Sequence, residues 1–170
     1  MKNLSKLIRE IPDFPKKGIL FRDITPLLQD GQAFKEVIEI FKQNCPEGIE
    51  KVVAVESRGF IFGSCLAYSL GIGFIPVRKA GKLPYKTVRV EYDLEYGKDT
   101  LEMHQDGIVK GERVVVVDDL LATGGTALAC CKLVEKCGGN VEKILFLIEL
   151  VELKGIDKLK DYDVLSILKL

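Results

Sequence analysis

The stretch "VVVVDDLLATGGT" (114–126) decides how the chain folds. Four consecutive valines suit a strand covered on both faces, because a half-buried strand alternates apolar with polar residues whereas a central parallel strand does not. Two adjacent aspartates end the apolar run. Small, permissive residues follow, and then comes the helical pattern of "TALACCKLVEKCGG" (126–139), which Gly138 stops. Strand, tight turn and helix make up half of a βαβ unit. In an open α/β sheet ligands bind beyond the carboxyl ends of the strands, which is where Asp118 and Asp119 then sit.

The same rhythm runs outward from this stretch. "KVVAVE" (51–56), "GFIPVRK" (73–79), "RVVVVDD" (113–119) and "KILFLIEL" (143–150) read as parallel central strands. Between them, "GQAFKEVIEIFKQNC" (31–45) places Phe34, Val37, Ile38 and Phe41 on one helical stripe, "GFIFGSCLAYSLG" (59–71) reads as a small apolar helix, and the tail ends in a further strand. The expected fold class is α/β, a doubly wound sheet with helices on its faces. One segment, "AGKLPYKTVRVEYDLEYGKDTLEMHQDGI" (80–108), is polar and alternating. It predicts an antiparallel excursion outside the main sheet, of the kind that forms a lid.

The chain has 170 residues, the size of one domain, so a single domain over 1–170 is expected. Lys+Arg and Asp+Glu both number 25, so no bulk field draws nucleic acid or an anionic membrane, and any bound anion must be held locally. No membrane-spanning run and no signal-peptide core are present, and the 5 cysteines include no C-x-x-C. A cytoplasmic protein with reduced, packed thiols is expected. Cys130, Cys131 and Cys137 are read as core residues rather than metal ligands, since adjacent helical residues diverge by about 100°.

Asp118 and Asp119 repel each other and call for a partner, either a cation or the hydroxyls of a sugar, since a carboxylate accepts two hydrogen bonds at once. "ATGGT" (122–126) opens a helix with small side chains, so its free N–H groups can turn around a phosphate with help from the Thr123 and Thr126 hydroxyls. Acids for the sugar and amides for its phosphate form one ribose-phosphate site. A lone D-D or G-G is ordinary cap and turn chemistry, but the whole order is far more demanding. The chain has no G-x-x-x-x-G-K-[ST] and no G-x-G-x-x-G, which argues against triphosphate P-loop and dinucleotide sites. Ser57 to Gly59 of "ESRGF" form a strand-to-helix turn where amides and the Arg58 guanidinium suit a pyrophosphate. Arg78, Lys79 and Lys82 bring positive charge to the start of the excursion, with Lys86 and Arg89 the weakest members of that group.

At this point "VVVVDDLLATGGT" resembles the phosphoribosyl-diphosphate (PRPP) signature of the type I phosphoribosyltransferases. "IPDFPKKGILFRDITPLL" (11–28), "ESRGFIFG" (56–63), "RKAGKLP" (78–84) and "LEYGKDTLEMHQD" (94–106) resemble segments of its adenine-using members, in the same order. The resemblance implies a single-domain fold with a central mostly parallel twisted sheet and an antiparallel flexible lid at about 80–108. It implies transfer of phosphoribose from PRPP to adenine, giving AMP and pyrophosphate, with Mg²⁺ carried by PRPP and held through water to Asp118 or Asp119, in a homodimer engaged in purine salvage. By resemblance Glu95 handles the adenine proton and Arg58 grips pyrophosphate beside Ser57, in a loop that commonly holds a strained peptide bond. Tyr96 adds a contact. Phe21 and Leu120 sandwich the base, with main-chain groups around Leu20 and Arg22 reading its edge. Asp23 orients Arg22. Asp118, Asp119, Ala122, Thr123, Gly124, Gly125 and Thr126 hold the ribose phosphate. His104, the only histidine, reads as structural. Two alternatives stand beside this reading: transfer to another purine base, or a PRPP-sensing regulator that binds without catalysis. A 6-oxopurine site would usually present a donor to the oxo group, and regulators of that type tend to carry a DNA-binding domain and a basic face. Neither feature stands out in this chain.

Overall fold

The computed structural model describes residues 3–93 and 98–170. Its contacts divide the chain into two compact units, residues 1–40 and 41–170. In the first unit, β1 (Arg9–Pro12) and β2 (Leu20–Asp23) form an antiparallel hairpin with Ile11 opposite Phe21. The Asp13 carboxylate accepts a 2.7 Å hydrogen bond from the Gly18 N–H inside its loop, and the Phe14–Pro15 peptide is cis. Two helices follow, α1 (Thr25–Gln29) and α2 (Gly31–Asn44), the latter with its residues from Phe41 on counted in the second unit. Asp30 caps α2 by accepting from the N–H groups of Gln32 and Ala33, both at 3.1 Å. Of the predicted α2 stripe, Val37, Ile38 and Phe41 are buried and Phe34 is half-buried.

The second unit carries the remaining elements: β3 (Lys51–Val55), α3 (Arg58–Leu70), β4 (Gly73–Lys79), β5 (Thr87–Asp93), β6 (Lys98–His104), β7 (Arg113–Leu121), α4 (Gly125–Lys136), β8 (Asn140–Glu149) and β9 (Val164–Lys169). They build one seven-stranded sheet in the order β5-β6-β4-β3-β7-β8-β9. Every pairing from β4 across to β9 is parallel. The central strands are buried on both faces, as their unbroken apolar runs require. Val53, Val55, Val114, Val116, Ile144 and Phe146 form a core with Ala127, Cys130 and Val134 of α4. On the alternate residues, Val52 and Ala54 lie under Gly63 of α3, where an added Cβ would come within 2.6 Å of the Ala54 methyl. Helices therefore cover both faces. The helical stop at Gly138 is in place, with φ +84° and the Gly139 N–H donating to the Val134 carbonyl at 3.0 Å.

The excursion departs from expectation. β5 and β6 do form an antiparallel ribbon, but the ribbon belongs to the main sheet: Arg78 and Lys79 at the end of β4 pair with Glu102 and Leu101 of β6. β3 pairs with only one edge of β4, and β6 occupies the other near the strand's carboxyl end. The inner face of the ribbon is core, with Val90, Leu101 and Met103 buried beside α4 residues. All five cysteines are free, and among the described residues no helix is long and apolar enough to cross a membrane.

Candidate active site

The chain leaves β3 through α3 toward β4, and leaves β7 through α4 toward β8 on the other side, so the sheet has a crevice where the neighbours β3 and β7 end. A cavity of about 400 Å³ opens there. Three segments form most of its wall: the turn after β3 with Glu56, Ser57 and Arg58, the tip of β7 with Asp118, Asp119 and Leu120, and the loop from Ala122 to Thr126. Lys79 and Tyr92 add polar groups to it, and Val55, Leu101, Leu121, Ala127 and Phe146 add apolar ones.

Asp118 is half-buried and the Asp119 side chain is 5% exposed. The Asp119 N–H donates to Asp118 Oδ1 at 2.9 Å, and Arg58 Nε lies 2.9 Å from Asp119 Oδ2. That oxygen has an ionic neighbour but no well-directed hydrogen bond. Burial, and then the neighbouring Asp119 charge, push the Asp118 carboxyl well above its ordinary range. Burial also raises Asp119, with Arg58 opposing it. α3 starts close against the acids because residue 59 is glycine: a Cβ there would come within 2.9 Å of Asp118 Oδ1. The Glu56–Ser57 peptide that leads into this turn is cis.

The loop after the acids ends at Gly124, with φ +79°, which caps α4 and leaves the first-turn N–H groups of the helix without intrahelical partners. Its back rests on the backbone of Gly155. An added Cβ on Gly124 would come within 2.4 Å of the Gly155 carbonyl oxygen, and one on Gly155 within 2.1 Å of the Ala122 carbonyl oxygen. On the cavity side Thr126 and Tyr92 both line the wall.

The basic segment "RKAGK" (78–82) is held by acids. Glu56 Oε2 accepts from Arg78 Nη2 at 3.1 Å and from Lys82 Nζ at 3.0 Å, and Glu56 Oε1 accepts from the Lys79 N–H at 2.7 Å. Burial alone would raise the Glu56 carboxyl, but these donors hold it below its ordinary range. Lys79 Nζ pairs with Asp99 at 3.0 Å, which raises the lysine and lowers the acid. The Gly81 N–H donates to buried Glu102 at 3.0 Å, and Arg89, which the sequence placed near the ligand, also pairs with Glu102.

The cavity thus brings together Ser57, Arg58, Lys79, Asp118, Asp119, Leu120, Ala122, Thr123, Gly124, Gly125 and Thr126 of the predicted set. Arg78 and Lys82 are not among its wall residues but meet it through Glu56. Phe21 and Arg22 belong to the first unit, where Phe21 makes an edge contact with Phe14 at 5.1 Å and Arg22 pairs with Glu10. In that unit Asp23 accepts from the Thr25 N–H and hydroxyl at 2.9 and 2.8 Å and lies 3.5 Å from Arg9. Glu95 and Tyr96 lie outside the described residues. His104 packs edge-on against Tyr85, apart from the cavity wall. Sequence reasoning missed Glu56, Tyr92, Asp99 and Gly155. The first was hidden as the opening letter of "ESRGF", Tyr92 and Asp99 as members of an alternating ribbon, and Gly155 because its contact is backbone on backbone.

Two acids that can accept sugar hydroxyls, a helix start with free amides and a basic rim suit one ligand bearing a ribose and two anionic ends. Residues 24–168 match the family described as the phosphoribosyl transferase domain. The chain is 58% identical to the adenine phosphoribosyltransferase of Christiangramia forsetii over 167 residues, 98% of each chain. Its fold superposes on the crystal structure of the Thermoanaerobacter pseudethanolicus adenine phosphoribosyltransferase with a TM-score of 0.95, at 55% identity and covering 98% of each chain. The Saccharomyces cerevisiae adenine phosphoribosyltransferase, solved in complex with adenine and D-2,5-dideoxy-2,5-imino-altritol 1,6-bisphosphate, superposes with a TM-score of 0.90, at 40% identity over 96% of each chain.

Proposed function

The chain belongs to the phosphoribosyltransferase family, and from that premise we propose that it transfers the 5-phosphoribosyl group of PRPP to adenine, giving AMP and pyrophosphate in purine salvage. The observation that carries this reading is the joining, in one cavity, of the acid pair Asp118–Asp119, the loop Ala122–Thr126 and the turn Ser57–Arg58. The ribose hydroxyls donate to the two carboxylates, each such bond to a charged group being worth about 1.5–3 kcal/mol. The 5′-phosphate accepts from the amides of 123–126 and from the Thr123 and Thr126 hydroxyls. The diphosphate end takes the Ser57–Gly59 turn, Arg58, Arg78, Lys79 and Lys82.

As the C1′–O bond breaks, its electron pair leaves with pyrophosphate, whose charge these donors offset. The C1′–N9 bond forms, and the N9 proton of adenine passes to Glu95, a role assigned by resemblance together with the Tyr96 contact. Leu120 and, by the same resemblance, Phe21 and Arg22 recognise the base. The incompletely satisfied Asp119 Oδ2 suits a water in the shell of an ion that binds mostly to phosphates. Mg²⁺ entering with PRPP would supply charge neutralisation of the diphosphate, with Asp118 or Asp119 holding it through water.

By analogy with the family we assign one functional domain, a homodimer and a cytoplasmic location. The reading is tested by assaying PRPP-dependent conversion of each purine base to its nucleotide. AMP from adenine is the expected result. Product from hypoxanthine but not adenine would change the substrate, and binding of PRPP without turnover of any base would favour a sensor.

A further inference from the structure

We propose that Glu56 is an internal counter-ion that competes with diphosphate for Lys82 and Arg78, and so sets how loosely the protein holds PRPP and how readily it gives up pyrophosphate. The proposal rests on the phosphoribosyl-transfer reading and deepens it. Glu56 lies on the cavity wall with its side chain only 10% exposed, at the carboxyl end of β3 and one residue before the turn assigned to the leaving group. Its Oε2 accepts from both Arg78 Nη2 and Lys82 Nζ, at 3.1 and 3.0 Å, and its Oε1 is fixed by the Lys79 N–H at 2.7 Å. A carboxylate held by two cations and an amide has the donor set that one end of a diphosphate would claim. The anchoring differs between the two cations. Arg78 also donates to the Lys82 carbonyl at 3.3 Å, whereas the Lys82 head is about half exposed and free to turn outward. Diphosphate binding is then an exchange, in which Lys82 passes from a fixed internal anion to a departing one. An enzyme that must release pyrophosphate at each turnover gains from holding its cations on a standby partner, because the ligand meets cations that are already half neutralised.

Glu56 acts through Lys82 and Arg78, so it is a positioning residue. The direct test is Glu56→Gln, which keeps the shape and removes the charge, with affinities for pyrophosphate in the presence of Mg²⁺ and for AMP measured by calorimetry on the full chain. Loss of one screened negative charge beside the diphosphate should tighten pyrophosphate binding about three- to tenfold. The KM for PRPP should fall in the same direction, while AMP, which lacks a diphosphate, should keep its affinity within about twofold. In a background lacking both cations, Arg78→Gln with Lys82→Gln, the tightening should vanish, since the competition would have lost its object. Should Glu56→Gln fail to fold, Glu56→Asp, which shortens the reach to Lys82, should still tighten pyrophosphate. Pyrophosphate affinity that is unchanged or weakened with AMP affinity intact would overturn the proposal, as would a tightening that survives loss of both Arg78 and Lys82. A wild-type chain that binds neither pyrophosphate nor AMP would instead refute the functional reading beneath it.

Discussion

Asp118 and Asp119 are the residues at which function and stability pull apart. Both carboxyls are raised, so the folded chain binds protons there that the unfolded chain releases. Stability from this pair is fully present below the ordinary carboxylate range and falls as pH rises from there toward the raised values. Glu56 has the opposite sign: its carboxyl is lowered, so its contribution is present above its ordinary value and fades as pH drops toward the folded one. Asp118→Asn should therefore raise the Tm of the ligand-free protein at neutral pH by about 2–4 °C, the shift that 1 kcal/mol makes in a domain of this size. It should also flatten the loss of stability between acid and neutral pH, and lower kcat/KM for PRPP by about 10-fold or more. Thermal denaturation across pH and steady-state kinetics measure the three effects. An unchanged Tm would mean that the acid pair costs the fold nothing. At this scale the acids and the small-residue loop were legible because their order is unusual. Glu56 was not, because a strand-end glutamate has no pattern of its own until Arg78 and Lys82, more than twenty residues away in sequence, are folded against it.

At the scale of elements, β3, β4, β7 and β8 form at the apolar runs that announced them, β8 starting earlier at Asn140; the runs in β3, β7 and β8 are buried, whereas β4 is mostly half-buried. The β1–β2 hairpin was unreadable for the converse reason: its strands are four residues each, β1 is mostly exposed and β2 carries no alternation of buried and exposed residues. The attachment of β6 to β4 was misread because only two residue pairs make it. Gly155 lies in the connection between β8 and β9, and its backbone supports the loop Ala122–Thr126, to which we assign the phosphate. Gly155→Ala should cost about 1–3 kcal/mol of stability through overpacking and, more tellingly, weaken AMP binding although residue 155 is not among those lining the cavity. Denaturant unfolding together with AMP titration separates the two effects. Full affinity in the variant would show that the loop does not depend on its support.

For the whole molecule, the thiols report on integrity. Burial pushes the Cys131 thiol up to about 12 and raises Cys130 well above its ordinary value, so neither supplies thiolate to a reagent at neutral pH. Iodoacetamide at pH 7.5 should leave both unmodified in the native protein and modify both after denaturation, as peptide mass mapping would show. Rapid native labelling at either site would contradict the packing of α4. The ribbon of β5 and β6 bears on the molecule as a whole in another way. Leu101 and Met103 are 1% and 0% exposed, and Lys136 of α4 donates to the Arg89 carbonyl at 2.8 Å. Swinging the arm bodily would pull two large side chains out of the interior, at about 1.5–3 kcal/mol each. The ribbon therefore stays seated in the sheet while reactants come and go, and any opening at the mouth has to come from chain less deeply packed than β5 and β6.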